Sequence, residues 1–356
     1  MKEYLIIGQG FAGTSLGFRL HQLDRSFLTI DIRRPNTASR VASGLWNPVV
    51  LKRLKAVWKA EEMLRDLHGF YEAIERETNS RFIHPEHIWR VFHSTAETND
   101  WDVASDRPPL DQYLLTPIQR NSNASLKAEK GLGEVRETGR IDPDIMLDAW
   151  QAYLKDQDLL IEGEFVHSDL QVEKDGFSYR GEVFRKVVFT EGLSTLHQNP
   201  WFNYLPFAPT KGELLEIHAP ELKLENPIHS SHFILPLGDH RYAIGATYAW
   251  NDLDLLPTEK ANEELQGFLE RSITCPYQVI GRRVGIRPNT KDRKPFLGEH
   301  PSQKGLFIFN GLGSRGVLMT PYLSRCMIDL MEKDIPLPRE ADIVRFSSLY
   351  ANQADI

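Results

Sequence analysis

The sequence of 356 residues has little cysteine: Cys275 and Cys326 are its only two, with no CxxC pair and no metal-ligand spacing around them. A disulfide framework is therefore not expected, and a reducing compartment such as the cytoplasm fits. The sequence also has no uninterrupted apolar run of about 18 residues, which predicts no membrane span. Its apolar N-terminal segment is broken by Gly8, Gln9 and Gly10, which is not typical of a signal peptide.

An excess of positive charge is absent as well. The formal net charge is −7 and the pI is about 6.0, which argues against a protein dedicated to nucleic acids. The histidines form no metal-ligand pattern. His229 and His232 are three residues apart in a strand-like segment, where we expect them to face opposite sides, so we predict no metal site. Hydrophobic residues make up 41% of the chain, enough for a sizeable core.

A dinucleotide-binding fingerprint is present at the N-terminus. An apolar run that ends at Ile7 leads directly into Gly8-x-Gly10-x-x-Gly13, and a helical stretch follows to about residue 23. The next predicted strand, 27–32, carries Asp31 at its end, 21 residues after Gly10. The glycines suit a tight turn and a close approach to a pyrophosphate, and the carboxylate suits the ribose hydroxyls of an adenosine.

The order of predicted elements is βαβ, then antiparallel strands, then βα, antiparallel strands again, and a last βα. It indicates an α/β protein, α+β overall, in which a Rossmann-like domain is interrupted by a domain built on an antiparallel sheet. We assign residues 1–80, 141–205 and 282–356 to the first domain, and 81–140 and 206–281 to the second. The spacing predicts one helix over 54–76, and residues 95–123 show no sustained period.

Seven segments in order resemble the D-amino-acid oxidase family of FAD enzymes, which includes glycine oxidase and sarcosine oxidase. The segments are the fingerprint with Asp31, residues 38–48, 187–192, 211–213, 242–247, 285–295 and 311–316. Residues 285–295 are most similar to glycine oxidase. Residues 311–316 are more similar to the FAD-oxidase half of the bifunctional enzyme that makes 5-methylaminomethyl-2-thiouridine in tRNA. Residues 80–140 carry no such resemblance.

The resemblance implies bound FAD. The family's covalent members attach the flavin in a Cys-x-Tyr-Thr context, from which Cys275-Pro-Tyr277-Gln departs, so we expect non-covalent FAD. The residues that the resemblance places at the cofactor are Gly8, Gly10, Phe11, Ala12, Gly13, Asp31, Ile32, Ser39, Arg40, Ser43, Gly44, Leu45, Trp46, Val166, Thr190, Glu191, Gly192, Gly311, Leu312, Gly313, Ser314, Arg315, Gly316 and Val317.

Two arginines are the candidate substrate ligands. The resemblance gives Arg287, in Gly285-Ile-Arg287-Pro288, the role of gripping a substrate carboxylate, which suits the two parallel donors of a guanidinium. An internal ion pair with Glu213 is the alternative for this arginine. Arg315 is the second candidate. We expect the pocket walls to include Trp46, Tyr248 and Trp250.

The function that the resemblance implies is oxidation of the C–N bond of a small amine or amino acid, by hydride transfer to flavin N5 and hydrolysis of the imine. Dioxygen or another acceptor would reoxidise the flavin. One alternative is removal of a carboxymethyl group from a wobble uridine of tRNA, with a basic edge at Lys52, Arg53, Lys55 and Lys59. Others are a flavin-binding scaffold without turnover and, less well supported, an NAD dehydrogenase.

Overall fold

The protein is described by a computed structural model over residues 1–354. Its strands, in chain order, are β1 (Lys2–Ile7), β2 (Phe27–Asp31), β3 (Leu45–Trp46), β4 (Val49–Val50), β5 (Lys55–Ala56), β6 (Ile83–His84), β7 (Ile88–Val91), β8 (Leu132–Val135), β9 (Gly139–Ile141), β10 (Leu160–Glu162), β11 (Gln171–Glu173), β12 (Gly176–Tyr179), β13 (Glu182–Phe189), β14 (Thr210–His218), β15 (Ile228–His229), β16 (Phe233–Gly238), β17 (Arg241–Gly245), β18 (Gln278–Arg287), β19 (Phe296–Glu299) and β20 (Leu306–Asn310).

Its helices are α1 (Phe11–Gln22), α2 (Ala38–Val41), α3 (Ala60–Leu67), α4 (Phe70–Thr78), α5 (Thr95–Ser105), α6 (Pro143–Asp156), α7 (Ser194–Gln198), α8 (Glu259–Ser272), α9 (Gly316–Lys333) and α10 (Ser347–Ala354). Short 3-10 turns occur at Leu110–Gln112, His167–Asp169 and Ile343–Phe346.

The first large sheet has a parallel centre. β10, β2, β1, β13 and β20 lie side by side and parallel, and β19 pairs antiparallel with β20. The β11–β12 hairpin extends the sheet beside the first half of β13. β20 and the part of β1 from Tyr4 to Ile7 are mostly apolar and buried, as expected for strands covered on both faces. Helices α1, α6 and α9 pack on one face, in a core that includes Phe18, Trp150 and Leu323.

The second large sheet is mostly antiparallel and has the order β18-β14-β17-β16-β15-β7-β8. β15 and β7 are the parallel pair in it. One face of this sheet packs on α8 through a separate core that includes Ile217, Ile244 and Leu265. The other face is directed at the parallel sheet. The remaining strands form a three-stranded sheet, β3-β9-β6, and the β4–β5 hairpin.

The α/β fold class is confirmed, and the structure differs from the sequence pattern in two places. The single helix predicted over 54–76 is two helices, because β5 and the left-handed Lys59 precede α3, and Gly69, at a φ of +81°, separates α3 from α4. The segment 95–123, which shows no sustained period in the sequence, contains α5. Ser94 caps that helix by accepting from the Glu97 N–H.

The domain boundaries remain a prediction. The strands of the two large sheets alternate along the chain, which supports a discontinuous arrangement. β18 belongs to the antiparallel sheet as far as Arg287, a few residues beyond the boundary predicted at 282. Within residues 1–354, we find no helix with the length and hydropathy needed to cross a membrane.

Candidate active site

A cavity of about 640 Å³ opens between the two large sheets. The carboxyl ends of β1, β2 and β20 line one side of it, and residues of β14, β17 and β18 line the other. Ligands of parallel sheets bind outside the carboxyl ends of the strands, so the location is the one expected for a nucleotide.

The fingerprint glycines form the turn from β1 into α1. Gly8 has a φ of +100°, and a Cβ atom there would lie 2.8 Å from the Thr190 carbonyl oxygen. A Cβ on Gly13 would overlap the Gly8 carbonyl, so this glycine allows the helix to pack on the strand. Gly10, which precedes α1, has no side chain to cap it, and Gly10, Phe11 and Ala12 line the cavity. The positive end of the helix dipole therefore borders the cavity.

Asp31 lies at the end of β2, as predicted, and lines the cavity. Its Oδ1 accepts a hydrogen bond from the Gln9 N–H at 3.0 Å. Burial raises the pKa of this carboxyl, and the Gln9 hydrogen bond and the charge of Arg40 oppose the shift. Donors on a bound ligand would favour the charged carboxylate.

The segment 38–45 runs along the same cavity. Ser39 Oγ accepts from the Phe11 N–H at 3.1 Å, which joins α2 to the start of α1. The guanidinium of Arg40 is buried and pairs with Asp144 at 3.0 Å and Asp148 at 2.6 Å, both on α6. The Arg40 side chain therefore fixes α2 against α6, although the residue borders the cavity. Ser43, Gly44 and Leu45 line it as well.

Residues 190–192 follow β13 and also line the cavity. The Thr190 hydroxyl donates to the carbonyls of Ile7 at 2.8 Å and Gly8 at 2.7 Å, tying this turn to the fingerprint. Glu191 is held by Asn199 Nδ2 at 2.9 Å, and the Gly192 carbonyl accepts from Asn310 Nδ2 at 2.8 Å. These contacts fix the wall without a ligand.

The start of α9, which follows β20, also borders the cavity. Six consecutive residues here line the cavity: Leu312, Gly313, Ser314, Arg315, Gly316 and Val317. Gly313 has a φ of +57°, and a Cβ on Gly316 would lie 2.7 Å from the Phe11 ring. α9 therefore starts next to α1, without a side-chain cap, and presents a second helix N-terminus at the cavity.

Several predicted site residues lie away from the cavity. The Trp46 ring is buried against Gly139, where a Cβ atom would overlap it, so Trp46 belongs to the core. Trp250 is 64% exposed and stacks on Tyr248 with the ring centroids 6.3 Å apart. Val166 is exposed, and its N–H donates to the Tyr179 hydroxyl. The residues among our predictions that do not line the cavity are Gly13, Trp46, Val166, Trp250 and Gly311.

Arg287 lines the cavity at the end of β18. Its Nη1 donates to the Thr247 carbonyl at 3.2 Å, and its Cζ lies 4.3 Å from the centroid of the Tyr248 ring. In the part of the chain that the structure describes, no carboxylate pairs with this guanidinium. Glu213, the partner considered from the sequence, accepts instead from the N–H and hydroxyl of Thr258, at 2.8 and 2.7 Å. Burial lowers the pKa of Arg287, although the side chain stays charged near neutral pH.

Arg315 carries a second half-buried guanidinium in the cavity lining, within electrostatic range of Tyr248. Burial lowers its pKa, Tyr248 opposes the shift, and over residues 1–354 it has no acidic partner. Tyr248 therefore lies close to two unpaired positive charges. By contrast, Arg282 and Arg283 on the same strand as Arg287 pair with Glu259 and Asp144 at the surface.

The sequence missed part of the cavity lining. The cavity lining includes His229 and His232, which were not expected at the site, and the His232 ring contacts Glu264 and Phe268 of α8, on the other side of the sheet. β15 ends at His229 and a short turn brings the chain back at Phe233, which pairs with His229, so the alternation of a continuous strand does not apply. The Ser230–His232 interval contains no glycine or proline to signal this turn.

Among residues 1–354 no group of three or more His, Cys, Asp or Glu side chains is placed to hold a metal ion.

The residues present fit FAD. Gly10 keeps a Cβ atom out of the space in front of α1, where one would lie 2.8 Å from Ser39 Oγ. Asp31 stands at the carboxyl end of the neighbouring strand, with its pKa raised by burial. The start of α9 faces the same cavity. The space in front of α1 matches a pyrophosphate, and Asp31 matches a ribose. The start of α9 matches the electron-rich edge of a flavin.

Comparison with known proteins agrees with this fit. The family model DAO, described as FAD dependent oxidoreductase, matches residues 3–330. Glycine oxidase of Bacillus subtilis (strain 168) is 26% identical over 223 residues, 57% of this chain and 59% of that protein. The tRNA 5-methylaminomethyl-2-thiouridine biosynthesis bifunctional protein of Leptospira interrogans is 27% identical over 178 residues, 40% of this chain and 27% of that protein. The aligned part thus spans under two thirds of either relative.

Solved structures share the fold over nearly the whole chain. Glycine oxidase from Bacillus cereus has a TM-score of 0.77 at 21% identity, covering 94% of this chain and 96% of the other. L-proline dehydrogenase from P. horikoshii has a TM-score of 0.79 at 15% identity, covering 98% of each chain. Because the family model covers more than nine tenths of the sequence and the site accommodates the cofactor, the chain belongs to the DAO family of FAD-dependent oxidoreductases.

Proposed function

We propose that this protein oxidises the C–N bond of a small amine that carries a carboxylate, that is, an amino acid or an N-substituted amino acid. The observation that carries the proposal is Arg287: a half-buried guanidinium that lines the cavity and has no carboxylate partner over residues 1–354. A buried charge without a partner is costly, so a site that keeps one is suited to an anionic ligand. A planar guanidinium holds a carboxylate with two parallel hydrogen bonds.

The cofactor would be held without a covalent bond by three parts of the chain. Residues 8–12 would face its pyrophosphate, Asp31 its ribose, and residues 313–317 the flavin. When bound, FAD supplies an acceptor for the hydride removed from the carbon next to the nitrogen. The positive start of α9 favours negative charge at the edge of the ring that it faces.

The chain's own residues bind and orient the substrate. Arg287 fixes the carboxylate, and Arg315 adds a second positive charge near the same ring of Tyr248. Two nearby positive charges disfavour an ammonium group, so they favour the neutral amine from which a hydride can leave. Leu214, Phe233 and Leu255 supply apolar walls that limit water around the reacting carbon. The imine product would leave the site and hydrolyse in water.

The relatives support an amine or amino-acid substrate. The similar proteins include glycine oxidases, and the structural neighbours include an iminodiacetate oxidase from Chelativorans sp. BNC1, with a TM-score of 0.73. The similarity to the tRNA-modifying bifunctional protein keeps a modified tRNA as an alternative substrate. For such a substrate Lys52, which lines the cavity, and the exposed Arg53 and Lys55 would contact phosphates.

The test is anaerobic reduction of the purified holoprotein, followed by the flavin absorbance. Glycine, sarcosine, D- and L-amino acids, simple amines without a carboxylate, and tRNA bearing a carboxymethylated wobble uridine are added in turn. We expect bleaching by one or more of the carboxylate-bearing amines and not by the amines that lack a carboxylate. Oxygen uptake and dye reduction, measured with the active substrate, then distinguish dioxygen from another acceptor.

Other outcomes select the alternatives. Bleaching by the tRNA alone would replace the small-molecule proposal with RNA modification. A flavin that no amine reduces, although dithionite does, would favour a flavin-binding scaffold. A protein that never binds FAD would contradict both. Acid precipitation, which releases FAD from a non-covalent holoprotein and leaves covalent flavin in the pellet, checks the mode of attachment.

A further inference from the structure

One face of the antiparallel sheet forms the floor of the cavity. Residues that stand directly opposite each other on paired strands share a face, and so do residues two apart on one strand. By this rule Arg287 shares a face with Gly285, two residues before it on β18. Gly285 is opposite Gly212 of β14, and Leu214, two residues further along β14, lies on the same face. The row continues across the sheet, because Leu214 is opposite Gly245, Gly245 is opposite Phe233, and Phe233 is opposite His229. All seven of these residues line the cavity.

His229 ends this row with an unused polar ring. Its Nδ1 is buried and has no hydrogen-bond partner within residues 1–354. The backbone of Ser230 is near the ring, but no hydrogen bond of good geometry joins them. The residue is fixed in place, because β15 pairs with Arg90 of β7 on one side and with Phe233 on the other. Nδ1 itself is closed off from the cavity, but the rest of the ring is only partly buried and borders it, so a polar group of a ligand can contact the ring there.

The charges around His229 are already balanced. Arg90 donates to the Ser230 carbonyl at 2.7 Å and pairs with Glu97 at 3.3 Å. His232 contacts Glu264 at 2.9 Å. Burial, and the nearby Arg90 and His232, lower the pKa of His229 to about 4, so its ring is neutral at pH 7. A neutral imidazole has one donor and one acceptor nitrogen, and it suits an uncharged partner better than a buried carboxylate or ammonium.

We propose that His229 forms a distal subsite, which recognises an uncharged hydroxyl or carboxamide group at the far end of an extended amino-acid substrate. The inference rests on the proposed function, because Arg287 must hold the carboxylate end. The guanidinium of Arg287 lies over β14, and three strand spacings separate β14 from β15. Neighbouring strands are about 4.8 Å apart, so the two ends of the ligand would be roughly 10–15 Å apart. Glycine and sarcosine are too short to reach both.

The substrate series tests the length and the far-end group together. N-substituted glycines and α-amino acids carry alkyl chains of increasing length that end in a carboxamide. The matched compounds carry the same chains ending in methyl, carboxylate or ammonium. We expect the longer carboxamides to have a kcat/KM about tenfold above their methyl counterparts, as one hydrogen bond to a buried group provides. If the methyl, carboxylate or ammonium compounds are equal or better at every length, the distal subsite is refuted.

Variants test the residue. His229→Leu should remove the preference for carboxamide over methyl, and His229→Asn, which keeps a polar side chain, should retain part of it. His218→Leu, a histidine at the other end of the same sheet's β14, is the matched control and should keep the full preference. A preference unchanged in His229→Leu would overturn the proposal. Binding of the carboxamides to the holoprotein, followed by perturbation of the flavin spectrum before turnover, gives a readout that does not depend on chemistry.

The two proposals fail in different ways. If short amino acids reduce the flavin but chain length and far-end group have no effect, the oxidase function stands and the distal subsite is wrong. If no carboxylate-bearing amine of any length reduces the flavin, the proposed function fails, and the distal subsite fails with it.

Discussion

The guanidinium of Arg287 lies directly against the backbone of Gly212, so close that a Cβ atom on Gly212 would overlap it. Arg287 is on β18 and Gly212 is on the neighbouring strand β14. Because Gly212 has no side chain, the guanidinium of Arg287 can occupy the space above it. From there the guanidinium reaches the Thr247 carbonyl and the Tyr248 ring. The position of Arg287, the residue proposed to bind the substrate carboxylate, thus depends on a glycine 75 residues earlier in the sequence.

Gly212→Ala should displace the Arg287 guanidinium. Because the contact with a carboxylate substrate depends on that position, we expect kcat/KM to fall by about 10- to 100-fold, the equivalent of one hydrogen bond to a charged group. FAD content should be unchanged. The control is Gly281→Ala on β18, where a Cβ would be 3.6 Å from the nearest side-chain atom. Equal kinetics in the two variants would contradict the proposed role of Gly212.

Arg287→Met should keep bound FAD and lose carboxylate recognition. Truncating one partner of a buried, hydrogen-bonded charge pair costs about 2–4 kcal/mol, or roughly 30- to 700-fold in kcat/KM. Arg287→Lys should recover only part of the loss, because an ammonium cannot form the bidentate contact. Arg282→Met, on the same strand and paired only at the surface with Glu259, serves as the control and should behave like the parent. Steady-state kinetics on the best carboxylate substrate measures all three.

FAD affinity should depend on pH through Asp31. Burial raises the pKa of this carboxyl in the free protein, and hydrogen bonds donated by the ribose would lower it in the complex. Binding therefore releases a proton, and the affinity should fall as the pH drops below the raised pKa of the free protein, with a plateau above it. Fluorescence titration of the apoprotein with FAD, from pH 7.5 downward, measures this dependence.

Asp31→Asn should bind FAD more weakly at pH 7.5 and without that pH dependence, since an amide does not titrate. Asp24→Asn is the matched control, because Asp24 is exposed in the turn after α1 and should keep the dependence of the parent. An identical pH profile in Asp31→Asn and the parent would assign the effect to another group.

Lys211 should anchor the segment that carries Tyr248 and Trp250. Its side chain is buried, and its Nζ binds Asp252 at 2.8 Å and Asp254 at 2.6 Å. Both carboxylates are partly exposed, so Lys211→Met should lower the free energy of unfolding by only about 1 kcal/mol. The segment 249–256 should nevertheless become much more open to hydrogen exchange.

Exchange measured by mass spectrometry tests that expectation, with Lys260→Met, an exposed lysine at the start of α8, as the control. Protection of 249–256 that stays at the parental level in Lys211→Met would show that other contacts hold the segment.

Local patterns were sufficient for the nucleotide half of the site. The apolar β1, the spaced glycines and Asp31 are within 31 residues of each other, and their geometry follows from one turn between a strand and a helix. The start of α9 was predictable for the same reason. The breaks around α3 and α4 were not, because a continuous apolar period does not record the left-handed backbone at Lys59 and Gly69.

Side-chain direction limited the rest of the prediction. Trp46 and Trp250 were predicted as pocket walls from their positions near resembling segments. The Trp46 ring instead packs in the core against Gly139, and the Trp250 ring is exposed beside Tyr248. Arg40 occurs in the segment 38–48 that carries part of the resemblance, yet its guanidinium pairs with Asp144 and Asp148 of α6, more than 100 residues away. Neither outcome is encoded by the neighbouring residues.

The sequence by itself determined the family, the cofactor turn and Arg287 as the candidate ligand, because each rests on residues that are close along the chain or in a fixed motif. Only the tertiary structure decided what surrounds that arginine. Gly212, Tyr248 and His229 come from three other segments, and the register of the antiparallel sheet places them on the same cavity. Strand pairing joins residues distant in sequence, so the charge balance and the far end of the pocket exist only once the sheet has formed.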